Sequence, residues 1–221
     1  MLHTPHRGHF ITFEGLDGSG KSTHMERLAG VLRERGLEVI ATREPGGTAI
    51  GERIRAILLD SRTQGLAPLS ELALMFASRA QQISELIQPA LNRGAWVLCD
   101  RYTDSSEAYQ GAGRKLGVET VFTLHRVLCL GLQPDLTLML DNDVAASVAR
   151  ARRRNENASG SDENRFEQEN RAFFERVHQQ FLTIAHREPG RVALIDTRRP
   201  QDAVHREIVD IVHQRLLKDQ A

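Results

Sequence analysis

Five short apolar runs divide this chain: Phe10-Ile11-Thr12-Phe13, then 38–42, 95–99, 134–141 and 191–196. Each is rich in β-branched or aromatic residues and bounded by turn formers, the signature of buried strands. The segments between them carry helical period instead. Met25, Leu28, Val31 and Leu32 form one stripe over 21–35, with Gly36 as its stop. Ile50, Ile54 and Leu58 do the same over 49–59, with Arg55 opposite them. Leu72, Met75, Phe76, Arg79, Ile83, Leu86 and Ile87 trace a long helix over 71–91 that Pro89 is expected to bend. Further helices are predicted over 118–130, 144–154, 166–186 and 203–217. Strands alternating with helices predict an α/β fold, one parallel sheet of about five strands with helices on both faces.

No linker or repeat interrupts this alternation, so 10–221 reads as a single domain behind a polar leader, 1–9, expected to be disordered. Within 221 residues the charges cancel, 29 Lys and Arg against 29 Asp and Glu, which leaves no basic field to draw nucleic acid or an anionic membrane. No apolar stretch reaches the roughly 20 residues of a membrane span. The leader lacks the apolar core of a signal peptide, and Cys99 and Cys129 each sit inside an apolar run, as buried free thiols do in a reducing compartment. A soluble, cytoplasmic protein is expected.

The most informative chemistry follows the first strand. Gly15-Leu16-Asp17-Gly18-Ser19-Gly20-Lys21-Ser22 has the spacing of a phosphate-binding loop and runs directly into a helix. Its glycines let successive N–H groups face one concavity, at which the helix also points its positive end. Lys21 would reach the β- and γ-phosphates, and Ser22 would ligate Mg²⁺. Charges recur where later strands stop, in Arg43-Glu44-Pro45-Gly46-Gly47 and in Asp100-Arg101-Tyr102, and ligands of open parallel sheets collect at such ends. Asp100 is suited to orienting a metal-bound water beside Ser22. Arg79 interrupts an apolar stripe one turn after Met75 and Phe76. It either snorkels at the rim or bonds the edge of a flat base that the aromatic face stacks on. The hydroxyl- and amide-rich stretch 102–113 suits a base and sugar. Helix 144–154 ends in Arg150, Arg152, Arg153 and Arg154, beside a polar flap, 155–164. Such arginines can close over a transferring phosphoryl group. Apolar residues on two sides of 118–130 suggest a subunit interface.

These pieces together resemble bacterial thymidylate kinases from about Phe10 to the last helix. The resemblance rests on Phe13-Glu14-Gly15 through Thr23, Thr42-Arg43-Glu44-Pro45-Gly46-Gly47-Thr48, Cys99-Asp100-Arg101-Tyr102, Ala108-Tyr109-Gln110-Gly111, Pro134 to Leu138, and Arg165-Phe166-Glu167. It implies a P-loop NTPase fold with a mobile lid at about 150–166, and transfer of the ATP γ-phosphoryl group to dTMP with Mg²⁺, for dTTP biosynthesis; with the interface suggested by 118–130, a homodimer is expected. By the same resemblance Gly15, Leu16, Asp17, Gly18, Ser19, Gly20, Lys21 and Ser22 hold ATP, and Ser22 and Asp100 serve the metal. Arg43, Arg55 and Arg101 grip the acceptor phosphate with support from Glu44, and Asp17 meets the sugar 3′-hydroxyl. Phe76 stacks on thymine, Arg79, Ser106 and Gln110 read its edge, and Tyr109 packs beside the sugar. The family's stacking aromatic stands four residues before its arginine, a place held here by Met75. Leu16 and Gly18 leave the loop without an arginine. The resemblance then places the catalytic arginine in the lid, with Arg154 and Arg165 preferred beside Lys21 and Arg101. A kinase for another monophosphate, or a nucleotide-switched binding protein, are the alternatives.

Overall fold

A computed structural model of the chain describes residues 7–156 and 165–217, apart from the side chains of residues 152 and 154–156. Five strands, β1 (Phe10–Glu14), β2 (Val39–Arg43), β3 (Trp96–Asp100), β4 (Leu136–Asp141) and β5 (Val192–Asp196), form one parallel sheet in the order β2-β3-β1-β4-β5. The central strands read as unbroken apolar runs because helices cover both of their faces. Ile11, Phe13, Leu98, Leu136, Leu138 and Leu140 pack on one side against α1 (Lys21–Glu34) and α9 (Gln201–Val212). Phe10, Val97 and Cys99 face the other side, where 83–92 covers them. Met139 there meets Phe173, Val177 and Phe181 of α8 (Arg171–Arg187).

Polar residues inside this sheet are matched. The hydroxyls of Thr12 and Thr137, on neighbouring strands and both 0% exposed, lie 2.7 Å apart. Arg191 donates to Thr137 at 2.7 Å and pairs with Asp104 at 2.8 Å. Each of these four side chains thus has a partner, which removes most of the cost of taking it out of water.

The helices depart from expectation in three places. The long helix begins at Pro68, at a first-turn position where a missing N–H costs nothing. It runs as α3 (Pro68–Gln82) through a wider turn, Ile83–Ile87, into α4 (Gln88–Asn92). The irregularity precedes Pro89, whose ring and absent N–H disturb the turn before it. The helix expected from Phe166 starts instead at Arg171, because the Asn170 side chain accepts the Phe173 N–H at 2.9 Å and caps it there. The leader is also shorter than expected: Gly8 donates to Leu91 at 2.8 Å, and Arg7 pairs with Asp135. Residues 1–6 lie outside the described residues. The remaining helices are α2 (Ala49–Leu59), α5 (Thr103–Ser106), which continues as a wide turn Glu107–Gly113, α6 (Val118–Leu128) and α7 (Val144–Glu156).

Leu138 is 0% exposed at the centre of the sheet. Leu138→Ala should cost about 3 kcal/mol in urea unfolding, from lost burial plus the cavity left behind. A loss below about 1 kcal/mol would show that this layer is not packed as described.

Candidate active site

The phosphate loop leaves β1 and turns on glycines. Gly15, Gly18 and Gly20 have φ of 128°, 78° and 100°. A Cβ on Gly15 would stand 2.4 Å from the Leu140 carbonyl oxygen, and one on Gly18 would stand 2.4 Å from that of Ser147. Only glycine lets the loop lie this close to β4 and α7. No side chain caps α1 after Gly20, so its first N–H groups remain available to an anion. Lys21 is buried and donates to the carbonyls of Leu16 at 2.9 Å and Gly15 at 3.2 Å. Burial, followed by the nearby Arg101, lowers its pKa from the ordinary lysine value.

Beside it the Ser22 hydroxyl donates to Asp100 Oδ2 at 2.8 Å. Asp100 Oδ1 is buried without a hydrogen-bond partner among the described residues. A hydroxyl and a carboxylate with a spare oxygen are the hard donors that Mg²⁺ takes. The adjacency follows from sheet order, because Asp100 lies opposite Phe13 across the β1–β3 ladder.

Facing the loop, a cleft opens at the ends of β2 and β3. Arg79 forms its inner wall at 2% exposure, with Nε donating to Glu44 at 2.5 Å and Nη2 to the Tyr102 carbonyl at 3.1 Å and to Ser106 at 3.0 Å. Its Nη1 is buried without a partner among the described residues. The guanidinium is sandwiched between the rings of Phe76 and Tyr102, 4.6 and 5.1 Å from their centroids. Nearer the loop, Arg101 pairs with Asp17 at 2.9 Å, donates to Ser105 at 2.8 Å and lies over the Tyr109 ring. Its φ of 73° is one that residues with side chains seldom adopt, and such strain gathers at functional sites. Arg55 and Gln110 also line the cleft.

A family model described as thymidylate kinase matches residues 13–208. Thymidylate kinase of Pseudomonas putida (strain GB-1) is 50% identical over 201 residues, 91% of this chain and 93% of that protein. That of Pelobacter propionicus is 46% identical over 212 residues, 96% and 97% of the two chains. A crystal structure of thymidylate kinase from Ehrlichia chaffeensis superposes with a TM-score of 0.74 at 32% identity, covering 93% of this chain and 99% of that one. The chain belongs to the thymidylate kinase family. It is a nucleoside monophosphate kinase with the phosphate-loop NTPase fold that the family shares.

Within this thymidylate kinase fold, most of the residues expected from the sequence meet, and Phe76, Arg43 and Arg165 do not. Phe76 is 0% exposed and packs with Leu72, Val121 and Cys129 behind Arg79, while Met75 lines the cleft. Residues 75 and 79 are four apart and share a helix face, whereas 76 is turned about 100° from 75. Arg43 is 53% exposed and pairs with Glu52 at 3.0 Å, away from the cleft wall. Arg165 turns from the loop, pairing with Glu71 at 2.8 Å and donating to the Leu58 carbonyl at the end of α2. The Arg154 side chain lies outside the described residues.

Phe166 and Glu167, to which the sequence assigns no place in the cleft, also line it. An aromatic between opposite charges after a polar segment was the available signal. Glu14, an acid inside a strand and 0% exposed, is a further residue of the site. Glu14 accepts the Tyr102 N–H at 2.7 Å and the Ser105 hydroxyl at 2.5 Å, so it holds in place the segment that carries Arg101.

Burial, then the neighbouring Asp104 carboxylate, pushes Glu14 up from 4.5 to about 8. A raised pKa means the fold favours the protonated form, so this contribution is complete below 4.5 and is lost as pH climbs through about 8. Relative to Glu14→Gln, the wild type should therefore lose denaturant stability between about pH 5 and about pH 9. Parallel curves for the two proteins would remove the shift.

Proposed function

We propose that the protein transfers the γ-phosphoryl group of ATP to dTMP, yielding dTDP for dTTP synthesis, by direct in-line displacement with Mg²⁺. The observation that carries this reading is the pair of facing sites. Amides and Lys21 converge on one side, and on the other a cleft presents Arg79 with a donor unpartnered among the described residues. Asp17 bridges them, since it belongs to the phosphate loop and pairs with Arg101 in the cleft. Phosphoryl transfer asks a protein mainly for alignment and charge neutralisation.

In this reading Gly15 to Ser22 hold the triphosphate, and Lys21 exchanges its loop carbonyls for phosphate oxygens. Arg55 and Arg101 hold the acceptor phosphate, and Asp17 and Tyr109 bracket the sugar. Arg79, Ser106 and Gln110 read the base over Met75. Ser22 and Asp100 would hold Mg²⁺, which supplies neutralisation of charge on the β- and γ-phosphates. The lid over 150–166 stays part of the proposal, with Arg154 as its arginine and Arg165 as its anchor. Buried free thiols at Cys99 and Cys129 support a reducing, cytoplasmic setting.

An ADP-release assay across dTMP, dUMP, dGMP and AMP should give dTMP the highest kcat/KM, and AMP as best acceptor would sink the reading. Lys21→Ala should lower kcat/KM by roughly 100- to 1000-fold while unfolding remains cooperative.

A homodimer is proposed through α2, α3 and α6, where α3 packs on both other helices. Leu130 at 89%, Val127 at 66% and Leu69 at 56% expose apolar surface there. Sedimentation should find a dimer that Leu130→Asp weakens. A wild-type monomer throughout the assayed concentrations would rule it out.

A further inference from the structure

Glu71 stands one turn before Met75 and two before Arg79, on the helix face that those residues share. It is 1% exposed, and three side chains from two segments converge on its carboxylate. Oε1 accepts from Gln110 Nε2 at 2.9 Å and from Arg114 Nε at 3.2 Å. Oε2 pairs with Arg165 at 2.8 Å and Arg114 at 3.1 Å. Arg114 also pairs with Glu169. Two guanidinium groups therefore hold the carboxylate in place without the help of Gln110.

We propose that Glu71 is a positioning residue for base selection: by accepting the Gln110 Nε2–H it fixes the sense of that amide, leaving the carbonyl as the group Gln110 offers to a bound base. An ionised carboxylate can only accept hydrogen bonds. A reversed amide would set Gln110 Oε1 against a carboxylate oxygen and lose the bond as well. The sense of an amide is set by such a network, and here Glu71 sets it.

Across the same cleft, Arg79 Nη1 is a buried donor with no partner among the described residues. A donor from Arg79 and an acceptor from Gln110 match the 4-keto oxygen and N3–H of thymine or uracil. Cytosine presents the reverse order, an amino donor and a bare N3. A buried polar group left unpaired is what makes such discrimination large. This inference rests on reading the cleft as the dTMP site.

Glu71→Gln keeps the volume but offers both a donor and an acceptor, so either sense of Gln110 becomes possible. The ratio of kcat/KM for dTMP to that for dCMP should fall about tenfold, mainly through the dTMP KM, with the ATP KM unmoved. In a Gln110→Ala background the same substitution should leave the ratio where it was. A merely structural Glu71 would instead depress both substrates alike in either background. An unmoved ratio in Glu71→Gln, or an equal fall in both backgrounds, overturns the proposal. Should Glu71→Gln not unfold cooperatively, Gln110→Met removes the carbonyl directly. Its ratio must fall comparably, and an unchanged ratio overturns the proposal too. A wild type inactive on dTMP overturns the functional reading and this inference with it, whereas an active wild type with an unmoved ratio overturns only the role of Glu71.

Discussion

A guanidinium at 2% exposure is tolerable only when its charge is paired and most of its N–H groups are met. Arg79 is paired through Glu44 and places its Nε and Nη2 hydrogens on Glu44, the Tyr102 carbonyl and Ser106, and so draws three parts of the chain around one group. Glu44 belongs to the turn after β2, and the other two partners to the segment after β3. Breaking such a buried pair from one side typically costs about 3–5 kcal/mol, although replacing the whole pair by apolar residues need not destabilise. The pair is therefore better understood as fixing an arrangement than as a source of stability. It holds the cleft in shape before any ligand arrives, with Nη1 left over among the described residues.

The neighbouring loop is pinned by similar means. Gln82 donates to the Thr42 hydroxyl and the Arg43 carbonyl at 2.8 and 2.9 Å, and Ser78 accepts the Gly46 N–H at 3.0 Å. Together with Arg79 these residues make one face of α3 the wall to which the end of β2 is fastened. On the phosphate side, Glu14 holds Ser105, Ser105 accepts from Arg101, and Arg101 reaches Asp17. The two halves of the site are joined by side chains issuing from adjacent strands. That follows from placing β1 beside β3, an instance of ligand sites forming at the carboxyl ends of parallel strands.

What could be read in the sequence was what is local. The phosphate loop needs only its own glycines, its lysine and its flanking elements, all within a few residues. Each of the five strands likewise declared itself by composition and boundaries. Helical period placed Arg79 on the inner stripe correctly, but it cannot decide between Met75 and Phe76. Both fall within a broad apolar face, and only the packing of α6 against α3 shows which side is core. Arg165 is a harder case. The resemblance makes it a partner for phosphate, yet its partner is Glu71, to which the sequence assigns no role. Pairing between residues so far apart leaves no mark in either segment. Phe166 has the periodicity of a first helical residue, but α8 begins five residues later at Arg171, capped by Asn170, which leaves Phe166 free to face the cleft.

The strand order also bears on how the protein is made. β1 leaves the ribosome first yet occupies the middle of the sheet, with Phe10 opposite Val97 and Ile11 opposite Leu136. During translation this apolar strand has no neighbour until β3 emerges, and its second side stays open until β4 follows. The nascent amino-terminal third must therefore wait with sticky edges uncovered, a state that favours misassembly and chaperone capture.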